Sequence, residues 1–451
     1  MNWSEGIPLK KTSRANVTLV FMTAFPLMLV ALLQVCIQFS NFFAMGHVSF
    51  RALYLLSLYI PISLALMAIN DSISITNQVL VAKKVGEKKL GEVLQVTANL
   101  CLIGTLILLV LAGITYGVGP KLGTFFSVDV ATSARFSRFV LLMLLSNALI
   151  LPGMLLDSTI RGLGKVTLAF LILLGHTVLY LLLLALFTWR YGLEENGIIY
   201  SAAICAVVLW GTASFTLVRL RAFPWPPSLF RLSPQTIPFL RWVGLPIFLS
   251  YVLLFTSSFF YNHIVAPFGD FAVAGFGIGY RIHTFVILPA LALGEGMSIL
   301  INQRMGGKRY EEAHELLRVG LWGAFGLYTV IALVVFLGRY EWVSFFTSNR
   351  AISQESVSFL SLTAFSYAWF GVLLTLLIVL EQTDNGFRAF LLNLAYFLLI
   401  VVAGAFLSQH FHSLLWFYRT FAVCNCLGLY AIIREVRRQD RKFARLRSAT
   451  A

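Results

Sequence analysis

The sequence predicts an all-α integral membrane protein with twelve transmembrane helices in two pseudo-symmetric six-helix bundles. Three observations carry this prediction. Of the 451 residues, 59% are hydrophobic and only 12% charged, whereas soluble domains carry about 25% charged residues. The mean hydropathy is +0.84, and the apolar runs reach the roughly 20 residues a helix needs to cross the hydrocarbon core. The chain also repeats itself at a constant offset of 220 residues.

The apolar runs place spans near 17–46, 52–82, 92–118, 136–158, 166–188, 197–220, 240–265, 271–303, 314–338, 357–380, 389–409 and 412–433. They are too long and too continuous for barrel strands, which alternate over about 10 residues. No cleavable signal peptide is expected, because the polar start MNWSEGIPLKKTSR precedes a run too long for a signal h-region.

The net charge of +15 raises nucleic acid as a partner, but its distribution argues against one. Lys10, Lys11, Arg14, Lys83, Lys84, Lys88, Lys89, Arg161, Lys165, Arg219, Arg221, Arg231, Arg241, Lys308, Arg309 and the tail from Arg434 to Arg447 fall on one side of the spans. The other side has only scattered Arg51, Lys121, Arg135, Arg138, Arg190, Arg339, Arg350 and Arg419. This is the positive-inside pattern, and it places both termini in the cytoplasm; the expected location is a bacterial inner membrane. The basic tail reads mainly as a topology signal, with anionic lipid as a further partner. Cys36, Cys101, Cys205, Cys424 and Cys426 fall within spans and lack zinc-site or disulfide-framework spacing, so they read as small buried hydrophobes.

Three anchors define the repeat. Pro26 (TAFPLML) matches Pro246 (VGLPIFL), Gly86 (VGEKKLGE) matches Gly306 (MGGKRYEE), and Ala169-Phe170 match Ala389-Phe390. The expected organisation is an N-terminal six-helix lobe over 1–222, a proline-rich cytoplasmic linker over 223–238, a C-terminal lobe over 239–434 and a basic tail over 435–451. Six spans per repeat give both halves the same orientation, related by an axis along the membrane normal.

The segment AVAGFGIGYRIHTFVILPALALGEGMSILINQRMGGKRYEEA resembles the eighth span and following loop of multidrug and toxic compound extrusion (MATE) transporters. STIRGLGKVTLAF is similar to the family's arginine-glycine turn between the fourth and fifth spans, and Pro26 with SNFFAMGH resembles its first span and exit. The match runs loosely over residues 17 to 434 and is dense around spans one, two, eight and the loops after them. The resemblance implies the two-lobe fold and export of a small organic solute driven by a proton or sodium gradient, with substrate between rocking lobes. It implies no cofactor and no enzymatic activity, and a monomer is expected. The family's coupling acids are absent at the matching positions: Asn41 stands in the first span, His176 and Tyr180 in the fifth, Leu254 in the seventh and about Gly371 in the tenth.

A charge at the bilayer centre costs roughly 2.5–3.5 kcal/mol on the insertion scale, so polar residues within spans are the site candidates. Asp71 lies 12 residues before Lys83, about 18 Å from the surface along a helix. Asn70, Ser74, Asn77 and Gln78 form a polar stripe with it, facing either water or a partner helix. Glu295 lies nine residues before Arg304 between Gly294 and Gly296, which permit close helix approach. His176 is mid-span, and an unperturbed histidine titrates near neutral pH, which suits proton handling; a packing histidine is the competing reading. Asp71, Glu295 and His176 are the expected coupling residues. Asn41, Tyr180, Tyr261, Asn262, His263 and Arg281, with the α-helical stripe, are the expected cavity residues. Arg281 and His283 share the outer half of span eight. Asp157 and Arg161 read as a local i,i+4 ion pair, and Glu381 and Asp384 as parts of an interfacial turn.

No HExxH, Walker A or paired-aspartate diphosphate motif is present. The competing readings are a lipid or lipid-linked oligosaccharide flippase, disfavoured by the few basic residues at mid-span, and a non-transporting scaffold. A major-facilitator protein is disfavoured because VAKKVGEKKLGE lacks that family's turn.

Overall fold

A computed structural model describes residues 13–125, 129–220, 231–383 and 385–448. Twelve helices in it are long and apolar enough to cross a membrane: α1 (Asn16–Val48), α2 (Phe50–Gly86), α3 (Leu90–Gly119), α4 (Thr132–Gly162), α5 (Val166–Arg190), α6 (Glu194–Arg219), α7 (Thr236–Phe268), α8 (Asp270–Gly306), α9 (Tyr310–Leu337), α10 (Arg350–Glu381), α11 (Gly386–His410) and α12 (Leu414–Leu446). The twelve expected spans and the all-helical class are therefore found, mostly longer than expected. The largest difference is at α12, which runs without a break through the basic tail.

The chain divides into two compact units. One is Leu29–Gly244; the other takes the described residues up to Met28 together with Leu245 onward. Most of the proline-rich stretch, 221–230, lies outside the described residues, as does Asp384. The carbonyl of Arg231, just after that stretch, accepts from Gln95 and Asn99 of α3 at 2.8 and 3.2 Å.

Prolines sit inside α1, α2, α4 and α8, at Pro26, Pro61, Pro152 and Pro289. Neighbouring helices let membrane helices tolerate them. At Pro246 the missing N–H coincides with a widened π-turn over Leu240–Gly244. The basic turns after α2 and α8 are built alike. Lys88 and Lys308 take left-handed φ of 61° and 57°. The next amides, Lys89 and Arg309, donate five residues back to Lys84 and Arg304 at 3.0 and 2.8 Å. That is a Schellman ending, which satisfies carbonyls left over by the last turn.

In the first unit α4 packs on α2, α3 and α6, around buried Leu55, Leu80, Leu100, Phe136 and Leu155. In the second unit α8 and α10 are the central helices, with 67% and 72% of their most apolar stretch buried against 11% for the outer α11. Its core is aromatic: Tyr261, Phe276, Phe359, Tyr367, Phe417 and Phe421 interlock, with Tyr261 and Phe421 5.0 Å apart between ring centroids. Such ring pairs add to the burial of their area.

Cys205 and Cys424 are buried, Cys101 and Cys426 partly so, and Cys36 is exposed. The expectation of small buried hydrophobes thus fits Cys205 and Cys424 and fails at Cys36, which is at an exposed position of α1.

Candidate functional site

The polar stripe of α2 faces a helix rather than open space. Asn77 is fully buried and its amide lies 2.8–2.9 Å from the Leu155 carbonyl, Ser158 Oγ and Thr159 Oγ1 of α4. Asn70 donates to Asn147 of α4 at 2.8 Å. Ser74 accepts from Arg161 at 3.2 Å. Gln78 is also fully buried, and a Cβ on Gly162 would lie 2.7 Å from the Gln78 carbonyl. Asn70, Ser74, Asn77 and Gln78 were expected to line a cavity; the structure places them in the α2–α4 seam. Buried polar groups in lipid need partners on adjacent helices; α4 provides them for Asn70, Ser74 and Asn77, whereas the Gln78 amide makes no hydrogen bond among the described residues.

Asp71 lies elsewhere on the helix. Within residues 71–80 only Asp71 and Ile75 are half-buried, and every other position is buried. The equivalent stretch of α8, 291–300, has the same pattern, with only Leu291 and Glu295 half-buried. One turn separates the two open positions in each helix, as the i,i+4 geometry requires. The repeat thus opens one narrow stripe per unit. The first unit puts its acid at the first open position, and the second puts its acid one turn further toward the basic turn.

Glu295 is held there by close packing of its neighbours. A Cβ on Gly294 would meet the Ile378 side chain at 2.6 Å, and one on Gly296 would meet the Ala24 backbone at 3.1 Å. The glycines let α8 approach α10 and the start of α1 closely, as their small size suggested.

In the first unit Tyr180 of α5 donates to Asn41 Oδ1 of α1 at 2.7 Å. His176, one turn before Tyr180, is buried, and its Nε2 has no hydrogen-bond partner among the described residues. The three residues at the family's first- and fifth-span positions thus include one direct pair. In the second unit the equivalent of Asn41 is Tyr261, which is fully buried in the aromatic core. Tyr261 was expected to line the cavity. Its ring packs on Tyr280, Phe397, Phe417 and Phe421 instead, because burying a ring of this size outweighs exposing its hydroxyl. Asn262 and His263 beside it are exposed, as is Arg281. His283 is buried among Tyr280, Tyr367 and Phe370. Asn262, His263 and Arg281 thus occupy exposed positions of α7 and α8, whereas Glu295 is half-buried.

Leu254 is half-buried. At Gly371 a Cβ would lie 2.0 Å from the Tyr328 ring, whose hydroxyl donates to the Val286 carbonyl at 2.6 Å. The ring fills the place a tenth-span acid would need.

Three buried charges were read from sequence as a local ion pair and as part of an interfacial turn. Asp157 and Arg161 do pair, at 3.3 Å, but both are inside the first unit. Glu381 is buried too, 2.5 Å from Ser250 of α7. The signal for their depth was available in the repeat, since Glu381 lies 220 residues after Arg161. Among the described residues no three His, Cys, Asp or Glu side chains gather as metal ligands. The arrangement offers single carboxylates on half-open helix faces, suited to binding and releasing a proton or a monovalent cation.

Twelve spans in two repeats, with acids inside the spans, make up the architecture of a membrane transporter. The MatE family matches residues 26–186 and 246–407, segments that begin at the two repeat prolines. They cover well over half of the chain, and the chain belongs to the MatE family. It is a membrane transporter rather than an enzyme, and a multi-pass bacterial membrane protein. Similar curated proteins include the probable multidrug resistance protein YoeA of Bacillus subtilis, 23% identical over 363 residues and 77% of each chain. The multidrug export protein MepA of Staphylococcus saprophyticus is 22% identical over 366 residues and 80% of each chain. The Vibrio cholerae MATE transporter VcmN in the bent form matches with a TM-score of 0.90 at 19% identity, over 97% of this chain and 100% of that one. A MOP superfamily transporter from Pyrococcus furiosus matches at 0.83 and 15% identity, over 98% and 100%. The structural likeness is one of fold.

Proposed function

We propose that the chain is an ion-coupled antiporter that exports a small organic solute across the bacterial inner membrane, using a proton or sodium gradient. The observation that supports this reading most is the pair of half-open acids. Asp71 and Glu295 lie on the stripe that each repeat leaves partly exposed, while the other polar residues of α2 are buried against α4. A carboxylate kept at that depth costs roughly 2.5–3.5 kcal/mol on the insertion scale. Cycling between protonated or ion-bound and empty states gives such a group a use.

Asp71 carries the ion in the first unit and Glu295 in the second. Asn41 and Tyr180 form a polar pair near the family's first- and fifth-span site and orient solute, and buried His176, one turn before Tyr180, is the third coupling residue beside Asp71 and Glu295. The names of the curated relatives support a drug-like solute. The basic turns at Lys83–Lys89 and Lys308–Arg309 support cytoplasmic termini.

The test is flux in vesicles reconstituted with the full chain, with an imposed pH or sodium gradient and an amphipathic fluorescent cation as solute. Asp71→Asn and Glu295→Gln are expected to reduce gradient-driven flux to the level seen without a gradient, with unchanged thermal melting. Wild-type flux in both variants would remove the acids from the mechanism. Gradient-independent headgroup movement by the wild type would favour the flippase reading instead.

A further inference from the structure

Arg318 and Arg437 lie at one end of a groove in the second unit whose other lining residues are apolar. The groove has a volume of about 380 Å³ and lies between α9, α10 and α12. On α9 the lining stripe runs Arg318, Trp322, Phe325 at helical spacing; on α12 it runs Leu429, Ile433, Arg437. Each stripe is apolar along its length and ends in one arginine. The helices run in opposite directions, so the two arginines meet at the same end. The contact of His314, near the start of α9, with Asp440, late in α12, at 2.5 Å fixes that arrangement. Trp369 of α10 packs at a tilt on Phe325 along the groove, 5.0 Å between ring centroids. Trp322 is 71% exposed, so the groove opens sideways onto the surrounding medium.

The acids Glu435, Asp440 and Glu315 make no ion pair with the two arginines. Glu435 pairs with Arg388, Asp440 with His314, and Glu315 accepts from Asn16. Among the described residues neither Arg318 nor Arg437 makes an ion pair or side-chain hydrogen bond. Two guanidinium groups thus stand over an apolar slot at the basic end of the spans.

We propose that this groove is a specific binding site for an anionic phospholipid. An acyl chain occupies the slot over Trp322, Phe325 and Ile433, and the phosphate is held between Arg318 and Arg437. Planar guanidinium groups match phosphate oxygens in two-bond pairs. Basic pockets between spans at the membrane surface are suited to anionic headgroups. The volume lies within the roughly 300–1,000 Å³ of ligand pockets. The apolar floor requires a hydrocarbon chain, which separates a lipid from free phosphate. Because α12 supplies one wall, the bound lipid also holds the tail helix against α9.

The experiment uses the purified full chain in detergent with equal amounts of phosphatidylglycerol and phosphatidylcholine, read by native mass spectrometry and thermal melting. The expected result is one preferentially retained phosphatidylglycerol and a melting temperature that rises only with that lipid. Both effects are expected to vanish in Arg318→Gln/Arg437→Gln and to persist in Arg441→Gln/Arg445→Gln, whose side chains are exposed on the same helix. Equal retention of the two lipids overturns the proposal. So does loss of preference in the control variant, which would mean diffuse attraction to the tail. Equal stabilisation by inorganic phosphate alone overturns the lipid assignment.

Discussion

Lys84 and Arg304, 220 residues apart in sequence, are both fully buried cations at the end of a spanning helix, and each is ion-paired with the acid eight residues further on. Lys84 lies 2.5 Å from Glu92, and Arg304 lies 2.8 Å from Glu312. A cation suits a helix C-terminus, where the last carbonyls carry partial negative charge. The turn folds back through left-handed Lys88 and Lys308, which brings the acid over the buried charge. The repeat conserves this device although it exchanges lysine for arginine.

Removing the acid strands the cation. Glu312→Gln is expected to destabilise the protein by about 3 kcal/mol, the low end for a broken buried pair, because Glu312 is one-third exposed. Arg304→Met is expected to cost less, since Glu312 reaches water and keeps Arg309 at 3.6 Å. Chemical denaturation of both variants checks the order; a less stable Arg304→Met would reverse the argument.

Gly371 is the tightest helix contact in the second unit that a single methyl group tests. Gly371→Ala would put Cβ 2.0 Å from the Tyr328 ring. The near ring atoms are close to the tyrosine backbone and have little room to give. A loss of about 1–3 kcal/mol, the usual range for overpacking, is expected. Tyr328→Leu in the same background should recover part of it, as melting of the double variant would reveal.

Asn77 and Asp71 sit on one helix with different tasks. Asn77→Leu removes three contacts to α4. At about 0.6 kcal/mol for each membrane hydrogen bond, the expected cost is about 1–2 kcal/mol, with gradient-driven flux per folded molecule retained. Asp71→Asn should do the opposite, sparing stability and losing flux. A variant pair that moved both quantities together would leave the two faces functionally alike.

Asn41→Asp restores a carboxylate to the first span, within reach of the Tyr180 hydroxyl. An ionisable group at this position is expected to add a pH-dependent step to transport that the parent lacks. Flux measured across pH for parent and variant reads this directly, and superimposable profiles would count against a transport role for the Asn41–Tyr180 pair.

Glu381 illustrates why depth was hard to read. Its neighbours in sequence form a polar turn, which suggested an interfacial residue. The chain folds so that Ser250, 131 residues away, receives it inside the second unit. The Tyr180–Asn41 bond spans 139 residues and was equally invisible as a contact, although both residues had been singled out by resemblance.

By itself the sequence determined the twelve spans, the 220-residue repeat and the polar residues each span carries. Lipid sets those features helix by helix, since every span must be long, apolar and internally hydrogen-bonded. Only the tertiary structure decided which of those polar residues meet a partner helix. A stripe at helical spacing has the same pattern whether it faces protein or an opening, so Asn77 in the α4 seam and Asp71 on the half-open face were separable only after packing. The same packing turned Tyr261 into an aromatic core residue and set Arg318 beside Arg437 at the head of an apolar groove.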